Sequence, residues 1–131
     1  MRRILVTGAT GFIGRAFVVH LLEQPETAVS LLLRETYSGT KPLPPELAHR
    51  REQFEVVYAD LRNFRLTSRA VGEAEPDVVV HLAAAGVTDP FLNVDTAVRY
   101  NVTGTLNLLR ACFEKRFDTD RLIVARTPGE K

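Results

Sequence analysis

The stretch Val6-Thr7-Gly8-Ala9-Thr10-Gly11-Phe12-Ile13-Gly14 decides the fold. The short apolar run 4–6 leads into it and predicts a buried strand, and apolar residues at helical spacing follow it. Its glycines recur every third residue, at the place where the strand turns into the helix. Gly8 would permit the tight turn, Gly11 would let the backbone approach a phosphate, and Gly14 would let the helix pack closely on the sheet.

A glycine turn between a strand and a helix predicts a binding site for a dinucleotide. The first N–H groups of a helix lack partners within the helix and carry a partial positive charge, which suits a pyrophosphate. The alternative is a plain tight turn whose glycines serve packing alone, but the flanking strand and helix favour the dinucleotide. The predicted cofactor-binding residues of this turn are Gly8, Thr10, Gly11, Phe12, Ile13 and Gly14.

The rest of the chain alternates strands with helices. The patterns predict strands at 3–7, 28–33, 54–58, 77–82 and 121–125, and helices at 12–23, 63–73 and 94–115. This alternation indicates right-handed crossovers and a doubly wound parallel sheet, an α/β fold. Residues 1–131 would form one dinucleotide-binding domain. Residues 35–51 are rich in proline and are interpreted as a surface loop that can hold one short helical turn near 46–48.

Composition and charge argue against several classes of protein. The 131 residues are 45% hydrophobic and 25% charged with a net charge of +1, which is ordinary for a soluble domain and indicates no nucleic-acid footprint. Cys112 is the single cysteine, so we expect a small core residue, no internal disulfide and no metal site. No apolar run reaches membrane-spanning length, and the early glycine turn interrupts any signal peptide. We therefore expect a cytoplasmic protein without a membrane partner.

Four motifs in order carry a resemblance to a known family. They are TGATGFIG at 7–14, YADLRN at 58–63, HLAA at 81–84 and NVTGTLNLLRAC at 101–112. The chain resembles the extended short-chain dehydrogenase/reductases of the NAD-dependent epimerase/dehydratase group from Arg3 to about Thr127. The resemblance implies a sheet of the Rossmann type with strand order 3-2-1-4-5. It also implies the cofactor-binding portion of a nucleotide-sugar epimerase, dehydratase or reductase that acts by hydride transfer.

The resemblance also implies cofactor contacts beyond the glycine turn. Asp60 and Leu61 would flank the adenine, although the residues alone allow Asp60 to cap the following helix. A turn of small residues would pass beside the nicotinamide ribose and the pyrophosphate. It consists of Ala83, Ala84 and Ala85.

Two polar residues interrupt apolar patterns. His81 closes an apolar strand, and we interpret it as a hydrogen-bonded core residue and not as a catalytic one. Asn101 is a poor helix former on the predicted buried face of the long helix, so it needs a polar partner. The resemblance places Asn101 near the active centre with the cofactor contacts, and a structural hydrogen bond is the alternative. The apolar residues expected to widen that buried face are Val102, Leu106, Leu109 and Phe113.

Arg34 is predicted to end the second strand, where this fold holds the adenosine ribose. A carboxylate at this place binds the ribose 2′-hydroxyl of NAD, whereas an arginine suits the 2′-phosphate of NADP. A guanidinium can also bond a phosphate in two places and stack on adenine. Because Glu35 follows directly, the sequence is compatible with NADP or NAD as the cofactor. Arg34 favours NADP. A surface arginine at a strand end is the alternative.

The catalytic residues implied by the resemblance are largely missing. The family uses a Tyr-x-x-x-Lys pair after the fifth strand, in which the lysine lowers the pKa of the tyrosine. Tyr37 and Lys41 have this spacing but lie in the 35–51 segment on the adenine side, so we reject them as the catalytic pair. Thr127 takes the place of a hydroxyl residue that bonds the substrate and is the single catalytic candidate. We expect no later strands and no substrate domain, hence a chain that is inactive alone.

Several functions therefore stay open at this point. The first is the cofactor portion of an epimerase/dehydratase-type oxidoreductase. The second is a non-catalytic NAD(P)-binding or sensor module, or a truncated remnant, and the third is an interaction protein that uses the fold without a cofactor. An uncovered fifth strand would also expose its edge to pairing, so we expect a homo-oligomer or a partner chain along residues 121–126.

Overall fold

The computed structural model describes residues 1–39, 41–82, 94–113 and 121–124. Strands and helices alternate along this part of the chain, as predicted. The strands are β1 (Arg2–Thr7), β2 (Thr27–Leu33), β3 (Phe54–Tyr58), β4 (Val78–His81) and β5 (Arg121–Val124). The helices are α1 (Phe12–Leu22), α2 (Pro45–Ala48), α3 (Phe64–Ala74) and α4 (Val94–Phe113), with 3-10 turns at Glu35–Ser38 and Arg51–Gln53.

The five strands form one parallel sheet in the order β3-β2-β1-β4-β5, which confirms the predicted fold class and topology. β1 is central, and its last residue, Thr7, pairs with Leu32 of β2 on one side and His81 of β4 on the other. The glycine turn thus leaves the sheet where the strand order reverses direction. In open parallel sheets this reversal point is where ligands bind.

Each face of the sheet is covered by its own apolar cluster. Along β1, Leu5 belongs to the cluster beneath α3 and α4, and its neighbour Val6 belongs to the cluster beneath α1 and α2. Successive side chains of a strand point to opposite faces, so a strand buried on both sides reads as a continuous apolar run. This is why the first and fourth strands could be recognised from their sequence.

Residues 35–39 and 41–51 contain more secondary structure than the predicted surface loop with one helical turn. The helical turn lies at Pro45–Ala48, and the two 3-10 turns flank it. Leu47 is fully buried in the cluster beneath α1, and Tyr37 and Leu43 pack against that cluster. The prolines set the path of the backbone without preventing one leucine from reaching the core.

The prediction for the buried face of α4 was partly wrong. The four residues expected to widen it are exposed on the opposite side of the helix: Val102, Leu106, Leu109 and Phe113. The buried positions are mostly small or polar residues, which let α4 approach α3 and Leu61 closely: Gly104, Asn107, Leu108, Ala111 and Cys112. Cys112 is the buried core residue that we expected.

Candidate dinucleotide-binding site

The glycine turn has the backbone geometry of a phosphate cradle. Gly8 has a positive φ of 78°, a conformation that favours glycine. The amide of Gly11 donates to the carbonyl oxygen of Gly8 across 3.3 Å, which closes the turn. Gly11 is also the N-cap of α1, and among the described residues no side chain caps the helix there. The first N–H groups of α1 therefore stay available to an anion.

Gly14 and Gly11 are required for different reasons. A Cβ on Gly14 would lie 1.9 Å from the carbonyl oxygen of Gly8 and 2.9 Å from the Cα of Ala9, so the fold itself needs a glycine there. Among the described residues, a Cβ on Gly11 would meet only the Gly8 oxygen, at an ordinary 3.6 Å. Because Gly11 is exposed and the fold would tolerate a side chain, its glycine leaves open space in front of the helix end. This geometry fits a pyrophosphate.

A cavity of about 240 Å³ lies between the glycine turn and the carboxyl ends of β2 and β3. Predicted contact residues from three separate segments meet there, Thr10 from the turn, Arg34 after β2 and Leu61 after β3. Apolar side chains form its inner wall, and two cationic side chains lie among its lining residues. The lining is Thr7, Gly8, Ala9, Thr10, Leu32, Leu33, Arg34, Tyr37, Lys41, Ala59 and Leu61.

A second, more open groove adjoins this cavity at Arg34. Its described lining contains two carboxylates and a second guanidinium. The lining residues are Arg34, Glu35, Thr36, Asp60, Arg62, Asn63 and Leu66. Arg34, which is predicted to contact the ribose, thus lines both spaces, whereas Glu35 lines the groove alone.

Asp60 is held in a fork by Arg62. The guanidinium donates from Nη2 to Oδ2 at 2.6 Å and from Nε to Oδ1 at 3.0 Å, and the Arg62 amide also donates to Oδ1. These hydrogen bonds lower the pKa of the Asp60 carboxyl below its ordinary value, so Asp60 is ionised. The alternative that Asp60 caps the next helix was wrong, because the side chain of Asn63 caps α3 by accepting from the Leu66 amide.

Asn107, which the sequence interpretation missed, fixes the position of Leu61. Its buried amide donates from Nδ2 to the Leu61 carbonyl oxygen at 2.7 Å, a bond between residues far apart in sequence. Gly104, one turn earlier on α4, lies so close that its Cβ would be 3.1 Å from the Cβ of Leu61. The signal that could have revealed Asn107 is a second asparagine in the NVTGTLNLLRAC motif. Asn101 itself is half-buried on the same helix.

His81 links three elements beneath the glycine turn. Its Nδ1 lies 2.6 Å from Oγ1 of Thr7, and its Nε2 lies 3.1 Å from Oγ1 of Thr105 on α4. Burial lowers the pKa of His81, which favours the neutral imidazole with one donor and one acceptor nitrogen. The prediction of a hydrogen-bonded core histidine is confirmed, and Thr7 is anchored next to Gly8.

The structure describes only some of the remaining predicted site residues. Phe12 and Ile13, in the first turn of α1, expose 83% and 57% of their surface. Ala83, Ala84, Ala85 and Thr127 lie outside the described residues. In the described ranges, no cluster of histidine, cysteine or acidic residues could hold a metal ion. No helix within those ranges has the length and apolar character to cross a membrane.

Comparisons with known proteins agree with this geometry. A family model described as the NAD dependent epimerase/dehydratase family matches residues 4–130. The dTDP-glucose 4,6-dehydratase of Neisseria meningitidis is 37% identical over 113 residues, which are 85% of this chain and 31% of that protein. The low-salt glycan biosynthesis protein Agl12 of Haloferax volcanii is 36% identical over 126 residues, 95% of this chain and 39% of that protein.

A solved structure extends the likeness to the fold. The Bordetella bronchiseptica enzyme WbmG in complex with NAD superposes with a TM-score of 0.71 at 27% identity, covering 93% of this chain and 36% of that chain. The chain thus spans roughly a third of the length of the relatives it matches. The glycine turn, the strand order and the family match together show that the chain belongs to the NAD-dependent epimerase/dehydratase family.

Proposed function

We propose that this chain is the NAD(P)-binding portion of a nucleotide-sugar epimerase/dehydratase-type oxidoreductase. The observation that carries the proposal is the glycine turn, where Gly14 packs against the Gly8 carbonyl and Gly11 leaves the end of α1 open. A bound nicotinamide cofactor would supply an acceptor or donor of hydride. Family membership and the names of the relatives, which include dTDP-glucose dehydratases, support the substrate class.

The described residues would bind and orient the cofactor. The first N–H groups of α1 would hold the pyrophosphate, which the partial positive charge of the helix end also favours. Ala59 and Leu61 would form an apolar wall for the adenine, with Leu61 held in place by Asn107. Thr7 and His81 would keep the start of the turn fixed to β4, so that little of the site needs to be ordered on binding.

We favour NADP over NAD as the cofactor. Arg34 directly follows β2, where the fold holds the adenosine ribose, and it lines the cavity beside the glycine turn. Glu35, the carboxylate that could bind a 2′-hydroxyl instead, lines the neighbouring groove. The position of these two side chains therefore supports a ribose that carries a 2′-phosphate.

Calorimetric titration of the chain with NADP and with NAD tests the proposal. We expect saturable binding of both cofactors, tighter for NADP, and loss of binding in Gly11→Val, because the new side chain occupies the space in front of α1. Gly39→Ala is the matched control, since a Cβ there would meet no atom of the described residues within 4 Å. Absence of binding in the unaltered chain, or unchanged binding in Gly11→Val, would contradict the proposal.

A non-catalytic NAD(P)-binding module is the second candidate. It is favoured by one observation, that Tyr37 and Lys41 line the cavity next to the glycine turn and so do not serve as the family's catalytic pair. Sequencing the coding DNA beyond codon 131 would distinguish the two candidates. A Tyr-x-x-x-Lys pair later in the same reading frame would support the oxidoreductase, with Thr127 as a substrate-binding hydroxyl. A stop codon at that point would support the module.

We also propose that β5 pairs with a second copy or a partner chain. β5 is an edge of the sheet in the described residues, and its Ile123 and Val124 are exposed. An apolar strand with free backbone groups on one side invites further pairing. Size-exclusion chromatography with light scattering would detect the assembly, and a clean monomer at high concentration would count against it.

A further inference from the structure

The Tyr37-x-x-x-Lys41 pair has no part in the proposed chemistry, yet the fold places it at the cofactor cavity. The 3-10 turn that follows Arg34 begins with a hydrogen bond from the Tyr37 amide to the Arg34 carbonyl oxygen, at 3.0 Å. The chain then reverses, and the Lys41 amide donates to the Thr36 carbonyl oxygen at 2.9 Å. The reversal brings the side chain of Lys41 back over Tyr37, with Nζ 5.1 Å from the ring centroid.

The tyrosine ring gives this lysine a fixed support. Tyr37 is half-buried and packs against the apolar cluster that contains Leu47, so its ring belongs to the folded core of the 35–51 segment. An ammonium group within about 6 Å of a ring centroid is attracted by the electron density of the ring face. This attraction favours a position of the Lys41 ammonium beside the ring, at the cavity that Arg34 and Gly8 also line.

The charge of this cavity is one-sided. Among the described residues that line it, two are cations, Arg34 and Lys41, and none is a carboxylate. The nearby acidic residues line the adjoining groove, where Arg62 holds the carboxylate of Asp60 and the charge of Arg34 also stabilises it. A ribose hydroxyl would find no acidic partner among the lining residues, whereas a dianionic phosphate would meet two positive groups.

We propose that Lys41 is a second phosphate-binding cation of this site, and that Arg34 and Lys41 together hold a phosphate monoester on the 2′-position of the adenosine ribose. Tyr37 acts as a positioning residue that holds the ammonium at the cavity rim. This inference rests on the proposed function, since it requires an adenine nucleotide in the cavity. It adds a residue that determines specificity between 2′-phosphorylated and unphosphorylated ligands.

The test compares two small probes that differ in the 2′-phosphate, 2′,5′-ADP and 5′-AMP, by calorimetric titration of the whole chain. We expect 2′,5′-ADP to bind more tightly, and Lys41→Gln to weaken its binding about tenfold while leaving 5′-AMP unchanged. Lys41→Arg keeps the charge and should retain most of the affinity. Arg2→Gln, at the opposite end of β1, is the control for removal of one positive charge and should leave both probes unaffected.

A second measurement does not depend on any variant. For the unaltered chain, the affinity of 2′,5′-ADP should fall more steeply with added salt than that of 5′-AMP, because salt screens the additional ionic contacts. Equal binding of the two probes, or an equal loss of both in Lys41→Gln, would overturn the inference while the proposed function stands. Failure of NAD, NADP and both probes to bind would overturn the proposed function itself, and the inference with it.

Discussion

Replacement of Gly14 by alanine tests how closely α1 packs on the glycine turn. The added Cβ would lie 1.9 Å from the Gly8 oxygen, 2.8 Å from the Gly8 carbonyl carbon and 2.9 Å from the Ala9 Cα. All three are backbone atoms, so no side chain can rotate away. Reaching an ordinary contact of 3.4 Å requires the helix and the turn to separate by about 1.5 Å at the closest pair.

This separation has an energetic cost that can be set against a gain in helix propensity. Overpacking of a tight contact costs about 1–3 kcal/mol, and a contact between backbone atoms belongs at the upper end of that range. Alanine in the first turns of a helix recovers up to about 1 kcal/mol relative to glycine. We therefore expect Gly14→Ala to lower the free energy of unfolding by about 2 kcal/mol and Tm by about 8 °C.

Urea and thermal denaturation followed by circular dichroism would measure the loss, with Gly39→Ala as control because a Cβ there meets open space. The variant should also bind NADP more weakly than the unaltered chain does, since the phosphate cradle is displaced with the helix. A Gly14→Ala variant with unchanged Tm and unchanged NADP affinity would refute the close packing and the cradle built on it.

Three further predictions follow from buried contacts. Leu47→Ala should lower the free energy of unfolding by about 3 kcal/mol in urea denaturation, because it removes a fully buried side chain; a loss below about 1 kcal/mol would mean that α2 is not part of the core. Asn107→Ala should cost about 2 kcal/mol, since it leaves the Leu61 carbonyl oxygen without its donor, and it should weaken NADP binding; unchanged affinity would show that Leu61 is held by other contacts. The stability of the protein should fall as the pH drops below 6.5, the ordinary pKa of histidine, because the unfolded chain protonates His81 while the buried imidazole resists. His81→Asn should flatten this part of the pH profile, and an identical slope in both proteins would exclude His81 as its origin.

The sheet and the phosphate end of the site could be predicted because their signals are local. A buried parallel strand has an apolar run of its own, as in 78–80, and the handedness of crossovers leaves few orders for five strands. The glycine turn is likewise contained in one short stretch. Each of its glycines could be assigned a role there: the tight turn, the approach of a phosphate, or the close packing of the helix. His81 was interpreted as a core residue for a related reason, since a polar residue that closes an apolar run needs a buried partner.

The buried face of α4 could not be predicted from hydrophobicity alone. Leu106 and Leu109 are larger and more apolar than Gly104 and Ala111, so a hydrophobic stripe places them inside. The helix instead turns its small residues inward, because the space above the sheet is already occupied by Leu61 and the residues of α3. Leu47 was missed because a single buried leucine in a proline-rich segment produces no hydrophobic periodicity.

The adenosine end of the site is hard to predict because its parts come from distant segments. Arg34 and Lys41 follow β2, Leu61 follows β3, and Asn107 lies on α4. Their meeting depends on the register of β2 against β3, continued by the hydrogen bond from the Ala59 amide to the Leu33 carbonyl oxygen at 2.9 Å. No local pattern encodes this register. A phosphate recognised through backbone amides therefore leaves a motif in the sequence, whereas a ribose recognised by side chains from separate segments is defined only by the fold.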